Sequence, residues 1–307
     1  MSSINTNVAA MTALKSLQMT NASLEKTQNA ISTGFRVAEA KDNAAYWSIA
    51  TTMRSDNKAL STVQDALGLG AAKIDTAYTG VNSAIDVVDE IKAKLVAARE
   101  PGVDRSKVQS EISELQNQLS SIATAAAFNG ENWLSIDSGA TGYSATESIV
   151  ASFNRDASGN VSVATISISK ATTALFDADA TNEGILDTEF TTTGTGAVTV
   201  TVATLDITAT NVDEDDIDDM ITNVETALAS MTTAAADLGS AAKRVDLQSD
   251  FVGNLMDAIE RGVGQLVDAD MSEESTRLQA LQTQQQLGIQ ALSIANAGAQ
   301  SILSLFR

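Results

Sequence analysis

The segment ITNVETALASMTTAAADLGSAAKRVDLQSDFVGNLMDAIERGVGQL (residues 221–266) decides the fold, because its apolar and small residues recur at alternating steps of three and four. Thirteen such steps follow one another without a break, which predicts one long helix with a heptad seam. At 1.5 Å per residue this helix extends over roughly 70 Å. The seam positions are Ile221, Val224, Leu228, Met231, Ala235, Leu238, Ala242, Val245, Ser249, Val252, Met256, Ile259, Val263 and Leu266.

Two earlier segments offer matching seams. Apolar positions from Val63 to Leu95 keep a similar register, apart from one four-residue stutter after Ile74. That helix is predicted to end at the turn Arg99-Glu100-Pro101-Gly102. A third helix follows, and it is predicted to end before the tight turn that Asn-Gly favours at 129–130. Its apolar stripe consists of Val108, Ile112, Leu115, Leu119 and Ile122. Three antiparallel-compatible seams predict a rod-shaped helical bundle.

Both ends of the chain are also predicted to be helical. Residues 278–306, LQALQTQQQLGIQALSIANAGAQSILSLF, contain no charged residue in a chain of formal net charge -20. One apolar stripe of this tail can pack on a single antiparallel partner helix, but a second stripe beside it needs another neighbour, most economically a second copy of the chain. The residues expected to pack between subunits are Leu14, Leu17, Leu24, Ile31, Leu281, Leu287, Leu292, Ile294, Ile302, Leu305 and Phe306.

The middle of the chain, residues 137–212, has a different pattern of apolar and polar residues. VSVATISIS (161–169) and AVTVTVATLDIT (197–208) alternate apolar and polar residues and are rich in Thr, Val and Ile, which predicts strands. Residues 137–226 hold 16 acidic residues against Arg155 and Lys170, so most of the net charge of the chain lies there. The acidic run at 213–219 is interpreted as a helix start, where the macrodipole favours acidic side chains. This pattern predicts a β-rich insert that faces water.

The composition argues against several functional classes. With 39 acidic and 19 basic residues, the chain is not expected to bind nucleic acid or an anionic membrane. Cysteine and histidine are both absent, so thiol chemistry, the usual general base and the commonest zinc ligand are missing, and neither an enzyme nor a cofactor is expected. The tail is too rich in glutamine for a membrane span. The start MSSINTNVAAM has no basic or apolar region typical of a cleaved signal. Tyr46 and Trp47 are expected to pack at a joint between helices.

Several longer stretches resemble one known family. They are SINTNVAAMTAL (3–14), ISTGFRVAEAKDNAAYWSIA (31–50), IATAAAFNGENWL (122–134) and LVDADMSEESTRLQALQTQQQLGIQALSIANAGAQSILSLF (266–306). In this order, and at the two ends of the chain, they resemble bacterial flagellins, most closely those of the alpha-proteobacterial, rhizobial type. The resemblance covers about residues 1–136 and 220–307, and the middle has no such match.

The resemblance implies a mainly α protein: a long antiparallel coiled-coil and helical-bundle rod, with both termini paired, and a small β-rich, solvent-facing insert. It implies an inner-core domain (1–42 and 267–307), a rod domain (43–136 and 213–266) and a variable outer domain (137–212). The implied function is that of the structural subunit of the extracellular flagellar filament, exported uncleaved by the flagellar type III system. The implied partners are further copies of the chain, an export chaperone at the carboxy-terminal helix, and the filament cap and hook–filament junction proteins.

Two points stay open at this level. A hook–filament junction protein shares the terminal motifs and is the nearest alternative, ahead of an enzyme displayed on a flagellin scaffold and of a coiled-coil tether. The resemblance also extends to an epitope for an innate-immune receptor, which in gamma-proteobacterial flagellins contains an Arg, a Leu and a Glu. By spacing, Val87 takes the place of the Arg, Ile91 that of the Leu, and Glu111 matches. The chain is therefore predicted to be a poor agonist of that receptor.

Overall fold

The computed structural model describes residues 6–305 except 157, 180–183, 196 and 211. Within these residues the chain forms five α-helices and eight short strands, which confirms the mainly α class with a small strand insert. The helices are α1 (Val8–Thr33), α2 (Ala44–Ala98), α3 (Arg105–Ala125), α4 (Glu214–Val267) and α5 (Met271–Leu305). The chain divides into two compact units, Met1–Lys58 with Met256–Arg307, and Ala59–Leu255.

In the first unit, α1 pairs with α5. The amide of Asn7 caps α1 by accepting a hydrogen bond from the backbone N–H of Ala10 at 3.0 Å. Gly34 ends the helix in the left-handed conformation, with φ of 76°, and its N–H binds the carbonyl of Ala30. Asp270 caps α5 by accepting from the N–H of Ser272 at 2.8 Å. Both helices therefore begin at a capping side chain, and α1 ends at a glycine.

The chain segments that adjoin α1 and α5 are tied together. The N–H of Arg36 donates to the carbonyl of Val267 at 2.7 Å, and the N–H of Ala269 donates to the carbonyl of Gly34 at 2.8 Å. A small apolar core lies beside these bonds and connects the end of α4 with the segment after α1 and the start of α2. It consists of Val37, Ala50, Val263 and Val267, with Phe35, Met53, Ile259 and Leu266 packed against it.

In the second unit, α2 and α4 pack side by side and antiparallel, as their seams predict. The guanidinium of Arg99 makes a two-point ion pair with Asp218, and Lys92 pairs with Glu225. Farther along, a Cβ placed on Gly239 would lie 3.7 Å from the ring of Tyr78. Along these three contacts the residue number falls on α2 by as much as it rises on α4, as antiparallel helices in constant register require. Every one of the fourteen seam positions of 221–266 is buried or half-buried.

The helix boundaries agree with the sequence-based predictions. α2 ends at Ala98, directly before the predicted turn, and α4 begins at Glu214 inside the acidic run. After α3, the strands β1 (Ala127–Phe128) and β2 (Glu131–Asn132) form a hairpin. Its two turn residues, Asn129 and Gly130, have positive φ angles of 52° and 83°, as the predicted Asn-Gly turn requires.

The insert is built from short two-stranded sheets. The longest pairs β4 (Thr146–Arg155) with β5 (Val161–Ser169) antiparallel, and β5 coincides with the predicted strand 161–169. The other pairs are β3 (Ser135–Ile136) with β6 (Phe176–Asp177), and β7 (Phe190–Thr191) with β8 (Thr199–Val200). Ile149 of β4 lies against Gly70, where an added Cβ would be 2.5 Å from its Cγ2 atom. The sheet thus packs directly on α2.

The predicted strand at 197–208 is wrong over most of its length. Only Thr199–Val200 is a strand, and residues 201–210 form turns and irregular chain. The side-chain amides of Gln109 and Gln116 on α3 donate to the carbonyl of Leu205, each at 3.1 Å, and the N–H of Ile207 donates to the Gln109 amide oxygen. The backbone groups of this segment are therefore satisfied by helix side chains instead of a neighbouring strand.

Candidate assembly surface

The pairing of α1 with α5 uses one side of each helix. The amide nitrogen of Gln285 donates to the Asn21 side chain at 2.8 Å, and the Asn7 side chain donates to the carbonyl of Ala295 at 3.0 Å. Between them, a Cβ on Gly288 would lie 3.1 Å from Leu17, so a glycine lets the two helices approach closely. The residues of α5 that face α1 are half-buried: Leu278, Leu281, Gln285, Gly288, Leu292 and Ala295.

A second side of α5 remains in water. Leu287 is 58% exposed and Ile294 is 72% exposed, and Ala291 between them is exposed as well. These residues belong to the second stripe that the sequence predicted. We call Leu287, Ala291 and Ile294 the open flank of α5. Ile302 and Leu305 would continue the subunit-packing set, but side chains from residue 299 onward, and all of Phe306, lie outside the described residues.

The predicted packing residues of α1 are only partly covered. Leu17, Leu24 and Ile31 are half-buried on the side toward α5, whereas Leu14 is exposed. Other large apolar residues that α1 and α5 leave exposed lie outside the predicted stripes: Val8, Met11, Met19, Met271 and Ile289. They do not fit one heptad frame, so periodicity did not reveal them. Their common feature is that they are large and apolar on helices that carry few charges.

Charge is confined to the start of α5. Arg277 donates to Glu274 at 2.8 Å and to Glu273 at 2.9 Å, within the first two turns of the helix. From Leu278 to Leu305 the helix has no ionisable side chain. Its surface can therefore be brought against another copy without bringing like charges together.

The other predicted residues, except Glu111, are buried or half-buried. Leu238, Val245 and Val252 of the α4 seam are buried, and the remaining seam residues Ile221, Leu228, Ile259 and Leu266 are half-buried. Val87 and Ile91 are buried on α2, while Glu111 is exposed on α3 and forms an ion pair with Lys94 at 2.5 Å. None of the helices among the described residues combines the length and the apolar character needed to cross a bilayer.

Comparison with known proteins gives the family. Residues 4–138 match the bacterial flagellin N-terminal helical region, and residues 221–306 match the bacterial flagellin C-terminal helical region. Flagellin C of Rhizobium meliloti strain 1021 is 52% identical over 322 aligned residues, and the alignment covers all of both chains. The chain belongs to the bacterial flagellins. It is a structural subunit of the flagellar filament, an extracellular homopolymer, and the family is a structural one.

Further relatives agree with this membership. This flagellin is 48% identical over 310 residues to the flagellin of Brucella melitensis and 46% identical over 397 residues to flagellin B of Rhizobium meliloti, with complete coverage in both cases. Among solved structures, the crystal structure of Bacillus cereus flagellin aligns at a TM-score of 0.40 and 19% identity, over 62% of this chain and 88% of that one. Since the curated relatives are full-length flagellins, the filament subunit is favoured over the hook–filament junction protein.

Proposed function

We propose that this flagellin polymerises by burying the open flank of α5, together with the exposed apolar residues of α1, against neighbouring copies. The observation that carries this proposal is the exposure of Ile294, 72%, on the chargeless part of α5, whose other side is already occupied by α1. In water such a side chain is unfavourable, and full burial is worth about 1.5–3 kcal/mol. The neighbouring copy supplies that burial.

The contact is heterologous, because a stripe on α5 of one copy meets a different surface of the next. Contacts of this kind close into rings or propagate as open helices, and a filament is the open case. Each subunit repeats the contact, so a modest free energy per site is sufficient for a long polymer. Ile302, Leu305 and Phe306 extend the same set of packing residues toward the end of the chain.

In this proposal the chain is layered within the filament. Residues 1–42 and 267–307 form the inner core, residues 43–136 and 213–266 form the surrounding helical layer, and residues 137–212 face solvent. The charge distribution supports this order, because the acidic side chains are concentrated in and beside the insert, whereas the tail has none. Water stabilises ionised groups, and packed interfaces are depleted of them.

The remaining steps follow from the family. The chain is exported uncleaved by the flagellar type III system, and an export chaperone covers the carboxy-terminal helix until assembly. The filament cap guides insertion of each new subunit, and the junction proteins connect the filament to the hook. The protein acts through packing, without a catalytic group or a cofactor.

The proposal is tested by replacing residues of the open flank. Ile294→Ser and Leu287→Ser should each raise the critical concentration for seeded polymerisation by about tenfold or more, since about 1.4 kcal/mol corresponds to a factor of ten. The matched control is Gln286→Ser, an exposed polar position on the same helix. Equal polymerisation of all three variants and the unchanged protein, followed by light scattering and electron microscopy, would refute the proposed surface.

Deletion of residues 278–307 tests the same proposal at the level of the whole tail. The shortened chain should form no filaments, while residues 60–266 keep their helical circular dichroism and a cooperative thermal transition. The abundance of the protein in sheared filaments distinguishes a bulk subunit from a junction protein, which occupies only a few positions.

A further inference from the structure

The start of α2 places its side chains in an unusual way. Ala50 is 1% exposed and packs in the small core with Val37, Val263 and Val267. The larger side chains of the same turns point away from that core. Tyr46 is 41% exposed, Trp47 is 38% exposed and Ile49 is 48% exposed. Tyr46 and Trp47 lie outside this core, so their expected packing at a joint between helices is at most partial. The helix buries an alanine and leaves its largest apolar residues at the surface.

The residue types exposed at the start of α2 are typical of protein–protein interfaces. Trp and Tyr are the residue types most enriched among those that dominate binding energy, because they combine a large apolar area with few rotatable bonds. The chain has only two tryptophans, and the other one, Trp133, is 3% exposed. Exposing Trp47 in a chain with so few aromatic residues thus needs a reason beyond the fold of a single subunit.

The surroundings of these residues are free of charge. From Ala44 to Met53 the sequence AAYWSIATTM contains no acidic or basic side chain, and eight of its ten residues are exposed. The next residue, Arg54, places its guanidinium over the ring of Phe35, 4.5 Å from the centroid. We call Tyr46, Trp47 and Ile49 the α2 patch.

We infer that the α2 patch is a contact surface for a second copy of this chain in the filament. The inference rests on the proposed function, in which copies pack against one another. A second copy carries the same net charge of -20, so contact through an uncharged surface, which this segment provides, avoids placing like charges against each other. The patch also lies in the same compact unit as α1 and α5, whose open flank supplies the proposed contact.

The two tryptophans make a direct test possible on the unmodified protein. In depolymerised subunits, the neutral quencher acrylamide should reach Trp47 while Trp133 is shielded. On seeded polymerisation the quenching constant of the accessible fraction should fall at least about threefold, and the emission should shift to shorter wavelength. Filaments in which Trp47 remains as accessible as in the subunit would overturn the inference while leaving the proposed function intact.

A variant separates shielding by a neighbour from shielding by folding within one copy. Ile294→Ser, held below its raised critical concentration, should keep Trp47 accessible under conditions in which the unmodified protein polymerises. Protection of Trp47 in that unassembled variant would also overturn the inference. Failure of the unmodified protein to form filaments at all would overturn both the inference and the proposed function.

Substitution of the patch itself completes the test. Trp47→Ala should raise the critical concentration about tenfold, and Trp47→Phe should recover most of the loss. Val161→Ala, which trims an exposed apolar residue of β5 in the outer insert, is the matched control and should leave the critical concentration unchanged. Circular dichroism of each subunit checks that the fold is retained. Polymerisation of Trp47→Ala at the unmodified concentration would contradict the inference.

Discussion

The carboxylate of Asp216 accepts a hydrogen bond from the backbone N–H of Gly194, with 3.1 Å between Oδ1 and N, although 22 residues separate them in the chain. Two other carboxylates of the acidic run accept hydrogen bonds from the residues on either side of Gly194. Asp213 accepts from the N–H of Thr195 at 2.9 Å, and Asp219 accepts from the N–H of residue 193 at 2.6 Å. We call Asp213, Asp216 and Asp219 the carboxylate clasp. It fastens the loop 193–195 of the insert to the first turns of α4.

Asp216→Asn should loosen this loop. Asp216 is fully buried and also accepts from the N–H of Asp213 at 2.9 Å, so the substitution leaves one of two buried donors without a good acceptor. The expected loss is about 1–3 kcal/mol of unfolding free energy, measured by urea denaturation of the depolymerised protein. Asp215→Asn removes the same charge from the same turn at an exposed position and should cost far less. Equal losses in both variants would show that net charge, not the clasp, stabilises this region.

The contact that Asp213 makes in the clasp should weaken in acid. The hydrogen bond from the backbone of Thr195 is the main cause that lowers the pKa of Asp213 to about 2, against an ordinary value of about 3.9 in an unfolded chain. A carboxyl whose pKa is depressed in the folded state adds stability above the unfolded pKa and loses it as the pH falls through the folded one.

The difference in unfolding free energy between the unmodified protein and Asp213→Asn should therefore be constant above about pH 5 and shrink between about pH 4 and pH 2. Urea titrations at a series of pH values measure it. A difference that persists unchanged at pH 2 would contradict this assignment of the clasp.

Gly70 and Gly68 of α2 provide a matched pair for testing how the insert packs on the helix. A Cβ on Gly70 would lie 2.5 Å from Cγ2 and 2.7 Å from Cδ1 of the buried Ile149, whereas a Cβ on Gly68 would meet no atom within 4 Å. Gly70→Ala should therefore destabilise the protein by about 1–3 kcal/mol through overpacking. Gly68→Ala should stabilise it by about 0.5–1 kcal/mol, the difference in helix propensity. Urea denaturation gives both values, and the same sign for the two variants would contradict the packing of β4 on α2.

The helices could be predicted from the sequence because their determinants are local and repeated. Each of thirteen steps in α4 places a small or apolar residue on the same side, and the caps and turns stand beside the segments they end. The role of Gly70 could not be predicted, because a side chain is excluded there by Ile149, which lies 79 residues later in the chain. The same holds for the acidic run. Its helix start was predicted from the macrodipole, but the loop that it binds follows no short-range pattern.

The irregular segment 201–208 shows the same limit. Its alternation of Val, Thr and Ile is typical of a strand, yet its backbone partners are amide side chains of α3, about 90 residues earlier in the chain. The open flank of α5 was predictable, since it is a stripe at helical spacing. The α2 patch was not, because an aromatic pair has the same sequence signature whether it is buried or exposed.

Gln109 should prove important for the stability of this segment. Its side-chain nitrogen donates to the carbonyl of Leu205 at 3.1 Å, and its oxygen accepts from the N–H of Ile207 at 2.9 Å. Leu205 and Ile207 are each 1% exposed, so their backbone groups have little access to water. Gln109→Ala leaves the N–H of Ile207 without its acceptor, whereas the carbonyl of Leu205 keeps its bond from Gln116. The variant should therefore lose about 1–3 kcal/mol of unfolding free energy, read from thermal and urea unfolding. Gln118→Ala, an exposed position of the same helix, is the control and should be neutral.

The predicted low agonist activity toward the innate-immune receptor can be tested by substituting Val87, because this residue is buried. Val87 and Ile91, the positions that the resemblance assigns to the Arg and the Leu of the epitope, are 6% and 0% exposed. Purified subunits should therefore give a weak response in receptor reporter cells compared with an Arg-bearing flagellin. Val87→Arg would restore the response if the position were on the surface. At a buried position the unpaired charge should instead cost several kcal/mol, so the variant should lose its cooperative thermal transition and remain inactive. A folded Val87→Arg variant with strong activity would show that this part of α2 is open to the receptor.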